Sequence, residues 1–213
     1  MLAMLTGKKR LIAGAIAVLL VAAIAGTLVF RGHQQRTEQR HIVALVADTT
    51  EQLRQALTAG SSREIVARID GHLQSVKSVR DGPLADAAEH YLLGAREIAR
   101  RRVDSDRLAG EAAASRRALA SHMNRSGGRG SGWIRDAMDL KRKVERDHAD
   151  LGRSLKTLDE LIYSLDDAKQ RLAPHVDASL LLDDAALRAA RARAQEEAKR
   201  AADELEKARR IGP

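Results

Sequence analysis

The sequence predicts an all-α protein: a single N-terminal transmembrane helix followed by an elongated helical bundle or coiled-coil body. Three observations carry this expectation. Residues 11–30 form one uninterrupted apolar run without a charge. Downstream, apolar side chains recur at steps of three and four, the spacing of one helix face. No stretch alternates apolar and polar residues with β-branched enrichment, so no strand is predicted.

The apolar run extends from Leu11 through Leu19 and Leu20 to Phe30, bracketed by Lys8, Lys9 and Arg10 on one side and Arg31 on the other. At about 1.5 Å per residue it spans roughly 30 Å, the thickness of a bilayer's hydrocarbon core. Eleven of its residues are Leu, Ile, Val or Phe, which makes insertion favourable by roughly 3 to 6 kcal/mol. A cleaved signal peptide is the rival reading, because Ala23-Ile24-Ala25 offers the small residues a signal peptidase reads. The run nevertheless continues through Leu28, Val29 and Phe30, past the usual length of about 7 to 15 residues for a cleavable segment. An uncleaved signal anchor is the expectation. Three adjacent cations and no acid precede it, whereas Glu38 dilutes Arg31, Arg36 and Arg40 after it. Lys and Arg favour the cytoplasmic side, so residues 1–10 are expected inside and the body outside. The absence of cysteine is compatible with an exported body that uses no disulfides. The preference for Arg over Lys hints at a bacterial genome, so the expected location is a bacterial inner (cytoplasmic) membrane with a periplasmic body.

Composition limits the function classes. Removing the four cations that flank the run leaves 33 cations against 29 acids in residues 32–213, so half of the net charge of +8 belongs to the anchor's own flanks. A dedicated nucleic-acid binder concentrates a larger surplus on one face. Outside the anchor the only aromatics are Tyr91, Trp133 and Tyr163, and the apolar residues are mainly Ala, Leu, Val and Ile. Such a composition suits narrow helix–helix seams.

Helix breakers divide the body into a region of about three helices, 32–123, a Gly-rich loop, 124–132, and a coiled-coil-like region, 133–213. The first helix is expected to continue from the anchor to about Ala59, with Ile42, Val46, Thr49, Leu53 and Leu57 on one stripe. Gly60-Ser61-Ser62 ends it, and Ser61 with Glu64 has the capping-box spacing for the next helix. That second helix carries Ile65, Ile69, Leu73, Val76 and Val79. Asp81-Gly82-Pro83 stops it, and Pro83 suits the first turn of a third helix reaching Met123. The third helix shows a weak seam of Ala88, Tyr91, Ala95 and Ile98 whose pattern deteriorates beyond Arg100.

The clearest periodicity follows the Gly-rich loop. With Ile134 at heptad position a, the d positions are Ala137, Val144, Leu151, Leu158, Leu165 and Leu172, all apolar. The a positions Leu155 and Ile162 are apolar, whereas Lys141, His148 and Lys169 are polar. Val144, Leu151, Leu155, Leu158, Ile162, Leu165 and Leu172 are therefore the predicted seam. The last helix, from about Asp183 to Arg210, has a thin stripe of Leu187, Ala190, Ala194, Ala201, Leu205 and Ala208. Its acid-before-base pairs at i,i+4 (Asp184–Arg188, Glu196–Arg200, Asp203–Lys207 and Glu206–Arg210) each support a helix by roughly 0.2 to 0.5 kcal/mol.

Few motifs carry chemistry. Glu38/His41 and Glu145/His148 have the Glu-x-x-His spacing of di-iron bundles, but two such pairs are a mild excess over chance, and Arg36 and Arg40 would repel a cation. No metal or other cofactor is expected. The Gly-rich loop lacks the Lys of a phosphate-binding loop, since Trp133 follows Gly132. There is no cysteine nucleophile, no Gly-x-Ser-x-Gly elbow and no His-Glu-x-x-His helix, so no enzyme is expected. From Ala112 to Arg135 there is no acid, while Arg116, Arg117, Arg125, Arg129 and Arg135 accumulate. These arginines are the candidate contacts for anionic lipid, another polyanion or an acidic partner, with a solvated basic face as the bland alternative. Without aromatic interleaving, nucleic acid ranks below lipid and protein.

The expected function is a single-pass membrane-anchored helical scaffold that binds a protein partner, or a second copy, through its coiled-coil seams. Long helices with narrow apolar stripes need a partner in the same chain or another to bury them. A sensor-like helical ligand-binding module is the alternative. It ranks lower because neither a second spanning helix nor an output domain to transmit a signal is expected from these residues, and a small-molecule ligand is not expected.

Overall fold

The computed structural model describes residues 33–79, 82–124 and 130–210. The anchor at 11–30, with Leu11, Leu19, Leu20 and Phe30, lies outside the described residues, as do Arg125 and Arg129. Among the described residues no helix is long and apolar enough to cross a membrane. The chain divides into two compact units, Met1–Val43 and Ala44–Pro213. In the first, residues 33–43 are the opening turns of helix α1, which runs over 33–59.

The second unit is helical throughout its described residues: the rest of α1, α2 (Arg63–Lys77), α3 (Pro83–Met123), α4 (Ser131–Leu172), a 3-10 turn (Ala178–Leu180) and α5 (Asp184–Arg210). The α1–α2 turn forms because Gly60 takes φ +97°, a left-handed conformation that glycine adopts without cost. The helix cap differs from the expected Ser61/Glu64 box. Ser62 is the N-cap, and its hydroxyl accepts from the Ile65 N–H. The Ser61 N–H instead points at Asp106 Oδ2, 3.4 Å away on α3. Helix α2 stops at Lys77, so Val79 lies past its end and is half-buried. Gly82 and Pro83 then open α3 as anticipated.

Paired contacts give the topology. His72 meets Asp48 and Thr49, Lys77 meets Glu89, Ser105 meets Ser154, and Asp159 meets Arg191. Each successive helix is therefore antiparallel to the one before it, and α1, α3 and α5 run the same way. At one end, Val46, Leu53, Ile69, Leu73, Tyr91, Leu92, Ile98, Ile162, Leu165 and Leu172 are buried. The Tyr91 hydroxyl lies 2.9 Å from Thr50 Oγ1, which satisfies both groups inside this core. Leu181 and Leu182, after the 3-10 turn, are also buried there, an element that the helical periodicity did not signal.

Helix α3 continues without a break beyond Arg100, where its apolar pattern fades. The reason is size: its inward positions there are Ser105, Ala112 and Ser115, small residues that let α4 and α5 approach, and a large apolar residue returns only at Leu119. Nearer the start of α3 the approach is close at Gly94, where a β-carbon would lie 2.9 Å from Leu165 Cδ1. The far end has a thinner core of Leu119, Val144 and Ala208, with Leu140 packed against it.

The α4 stripe is filled from within the chain. Val144, Leu155, Leu158, Ile162, Leu165 and Leu172 are buried, and α4 packs on both α3 and α5. Two heptad positions depart from the pattern: Leu151 is only half-buried and Ile134 is exposed. Leu151 is undercovered because the surrounding wall consists largely of alanines, Ala109, Ala112 and Ala113 of α3 and Ala201 of α5. The polar a positions are accommodated individually. Lys169 pairs with Asp184 of α5, and His148 Nδ1–H donates to Val144 O at 2.9 Å. The expected Asp184–Arg188 pair is thus replaced by a link between helices, and Lys207 pairs with Glu204, not Asp203. Glu196–Arg200 and Glu206–Arg210 form as anticipated.

Candidate functional site

Two places in the second unit collect side chains that could recognise another molecule. The first is the distal tip, where α3 ends, α4 begins and α5 ends. Thr50 of α1 sits beside Tyr91, which puts Ala44 level with the start of α3. The 41 residues of α3 then carry Met123 about 60 Å away from that level.

The tip combines exposed apolar side chains with cations. Four large hydrophobic residues are exposed among the described residues, and three of them, Met123 (38%), Ile134 (40%) and Met138 (42%), are at this end. Ile134 and Met138 are four residues apart and share one face of α4. Next to them Trp133 stacks on His122, with ring centroids 5.0 Å apart, and the His122 ring donates from Nε2 to Trp133 O at 3.0 Å. That stack ties the two helix ends together.

The predicted arginines are treated unequally by the fold. Arg116 is engaged across the α3–α5 contact by Glu204, 2.6 Å away. Arg117 and Arg135 are exposed and have no ion-pair or hydrogen-bond partner among the described residues. Upstream, Arg102 is held by Glu197 at 2.8 Å, and Arg96 and Arg100 both reach Asp70. Arg101 also lacks a partner but is half-buried, so the exposed unpaired arginines of the predicted set are Arg117 and Arg135. Lys207, Arg209 and Arg210 also reach this end on the last turn of α5, where they offset the negative end of the helix dipole. Sequence reasoning did not connect them with Arg117 and Arg135, because the antiparallel and parallel pairings that unite them arise only on folding.

The second place is an open cavity of about 340 Å³ between α3 and α5, floored by α4. Leu151, Leu155, Ala109, Ala112, Ala113 and Ala201 make it apolar, and the Arg102–Glu197 and Arg116–Glu204 pairs border it. His148, only 6% exposed, lines it. Its Nδ1–H is committed to Val144 O, which leaves Nε2 as an acceptor. Ser105 also lines the cavity but is bonded to Ser154 at 2.9 Å, so no hydroxyl is paired with the histidine as a nucleophile would be. Among the described residues no group of three or more His, Cys, Asp or Glu side chains converges to hold a metal. Among the described residues neither Glu-x-x-His pair belongs to such a group. This cavity was not anticipated: alanine at helical spacing reads as close packing, and only the assembled bundle shows where three helices fail to fill the space.

Comparison with protein-family models, curated proteins and solved structures finds no match for this chain.

Proposed function

We propose that this chain is a single-pass, membrane-anchored helical interaction protein of the bacterial cell envelope. In this reading residues 11–30 hold it in the inner membrane, and the body stands on the periplasmic side and presents its distal tip to a partner. The observation that best supports it is the contrast between two apolar surfaces. The α4 stripe from Val144 to Leu172 is largely consumed by the chain's own α3 and α5, whereas Met123, Ile134 and Met138 at the tip stay exposed. The site of association thereby moves from the heptad seam, where the periodicity placed it, to the α3–α4 hairpin.

Alkaline carbonate extraction of membranes containing the full chain tests the anchor. The protein is expected in the pellet with its first residues retained, whereas an amino terminus at Gly26 would show cleavage and refute it. A reporter enzyme active only outside the cytoplasm, fused after Pro213, is expected to be active. Activity from a cytoplasm-dependent reporter alone would reverse the orientation.

The cavity beside His148 favours a second reading, a ligand-binding helical module. Thermal-shift screening separates the two, because a ligand-specific rise in melting temperature that His148→Phe abolishes supports the module.

A further inference from the structure

We propose that the distal tip docks on an anionic lipid surface, with Ile134 and Met138 entering the boundary between headgroups and acyl chains, and with Arg117 and Arg135 meeting the lipid phosphates. The inference rests on the reading of the tip as the interacting surface. In 117–124, 130–143 and 206–210, the stretches that meet at this end, there are eight Lys and Arg against three Asp and Glu. Arg117, Arg135 and Arg209 have no ion-pair partner among the described residues. The N-terminus of α4 adds to the same field, since Gly130 offers no side-chain cap and the first turn carries no acid.

Charge complementarity selects the occupant. Exposed apolar side chains at the same end as unpaired arginines, here Ile134 next to Arg135 in sequence, suit the surface of an anionic bilayer, through apolar burial and electrostatic attraction together. A soluble polyanion would use the cations and leave Ile134 and Met138 without a role. Base stacking has no platform here, because Trp133 is already stacked on His122.

The test uses the full chain reconstituted in phosphatidylcholine nanodiscs and mixed with vesicles of phosphatidylcholine alone or with about 30% phosphatidylglycerol. Flotation is expected to recover the protein with the anionic vesicles only, and recovery is expected to fall as salt is raised. The double variant Arg117→Glu/Arg135→Glu should weaken vesicle binding roughly tenfold or more. Ile134→Ser/Met138→Ser should weaken it as well, with an unchanged helical circular-dichroism spectrum and melting temperature in both variants. Absence of binding to anionic vesicles overturns the proposal. So does a serine variant that binds them as well as the unmodified chain while inorganic polyphosphate competes fully, the signature of a site for soluble polyanions. A chain that fails to enter nanodiscs refutes the anchor, and flotation of the unincorporated chain then decides the tip by itself.

Discussion

His72 shows how one side chain couples burial to pH. It lies between α1 and α2, with Asp48 Oδ2 3.1 Å from Nε2 and Thr49 Oγ1 2.9 Å from Nδ1. A neutral ring that donates from Nε2 to Asp48 can accept from the Thr49 hydroxyl at Nδ1, which satisfies both contacts. Burial pushes its pKa below the ordinary 6.5; Asp48 opposes this shift and Arg68 adds to it. The unfolded chain therefore takes up this proton more readily than the folded one. The stabilisation is present above the unfolded value and is lost as pH falls through the folded one. On moving from about pH 7.5 to about pH 5, the melting temperature should fall more for the natural chain than for His72→Gln. Parallel curves for the two proteins would exclude this linkage. Thr49 and His72 were legible only in part: Thr49 falls on the predicted stripe of α1, but nothing along the chain pairs it with a histidine 23 residues later.

At the scale of elements, the glycines inside helices separate local propensity from packing. Gly71 in α2 has nothing within 4 Å of where a β-carbon would be, whereas Gly94 in α3 faces the buried Leu165. Gly71→Ala should stabilise the protein by about 0.5 to 1 kcal/mol, because alanine removes backbone freedom from the unfolded chain at no steric cost. Gly94→Ala gains the same propensity but must displace Leu165 in a filled core, and a net loss of about 1 to 3 kcal/mol is expected. Urea denaturation of both variants checks the sign: a stabilising Gly94→Ala would mean that the α3–α4 approach has slack. Helix ends were largely legible, since Gly60, Gly82 and Pro83 mark them for reasons internal to one or two residues; the loop expected over 124–132 reaches too far, because α4 begins at Ser131 and includes Gly132. The Ser62 cap was misplaced by one residue because Ser61 and Ser62 are chemically equivalent, and Asp106 on another helix decides between them.

For the whole molecule, what matters is whether the strongest apolar stripe is covered by its own chain or by another. Leu158 and Leu165 are each 1% exposed, and α4 meets both α3 and α5. Leu158→Ala should cost about 2 to 5 kcal/mol, against little for Arg153→Ala at an exposed position. Because the covering helices belong to the same chain, the unfolding midpoint of either protein should not depend on protein concentration. A midpoint that rises with concentration would place a second copy against the stripe. Ion pairs between helices, such as Arg102–Glu197 and Arg191–Asp159, orient the same assembly, but as partly exposed pairs they contribute little each.

The sequence by itself determined the helical class, the positions of most helix boundaries and the apolar face of each helix except α3 beyond Arg100. These depend on breakers and on a period of three to four residues, which are local. It also marked an apolar stretch long enough to span a bilayer and a segment rich in arginine. Tertiary structure decided the rest, because the outcome depends on which faces meet. Alanines that look alike along the chain close-pack at Ala88 and Ala95 yet leave a cavity beside Leu151 and His148. Likewise, Arg116 is neutralised by Glu204, 88 residues away, while the adjacent Arg117 points to solvent. A helix turns by about 100° per residue, so neighbours in sequence face different surroundings, and only the packed bundle assigns those surroundings.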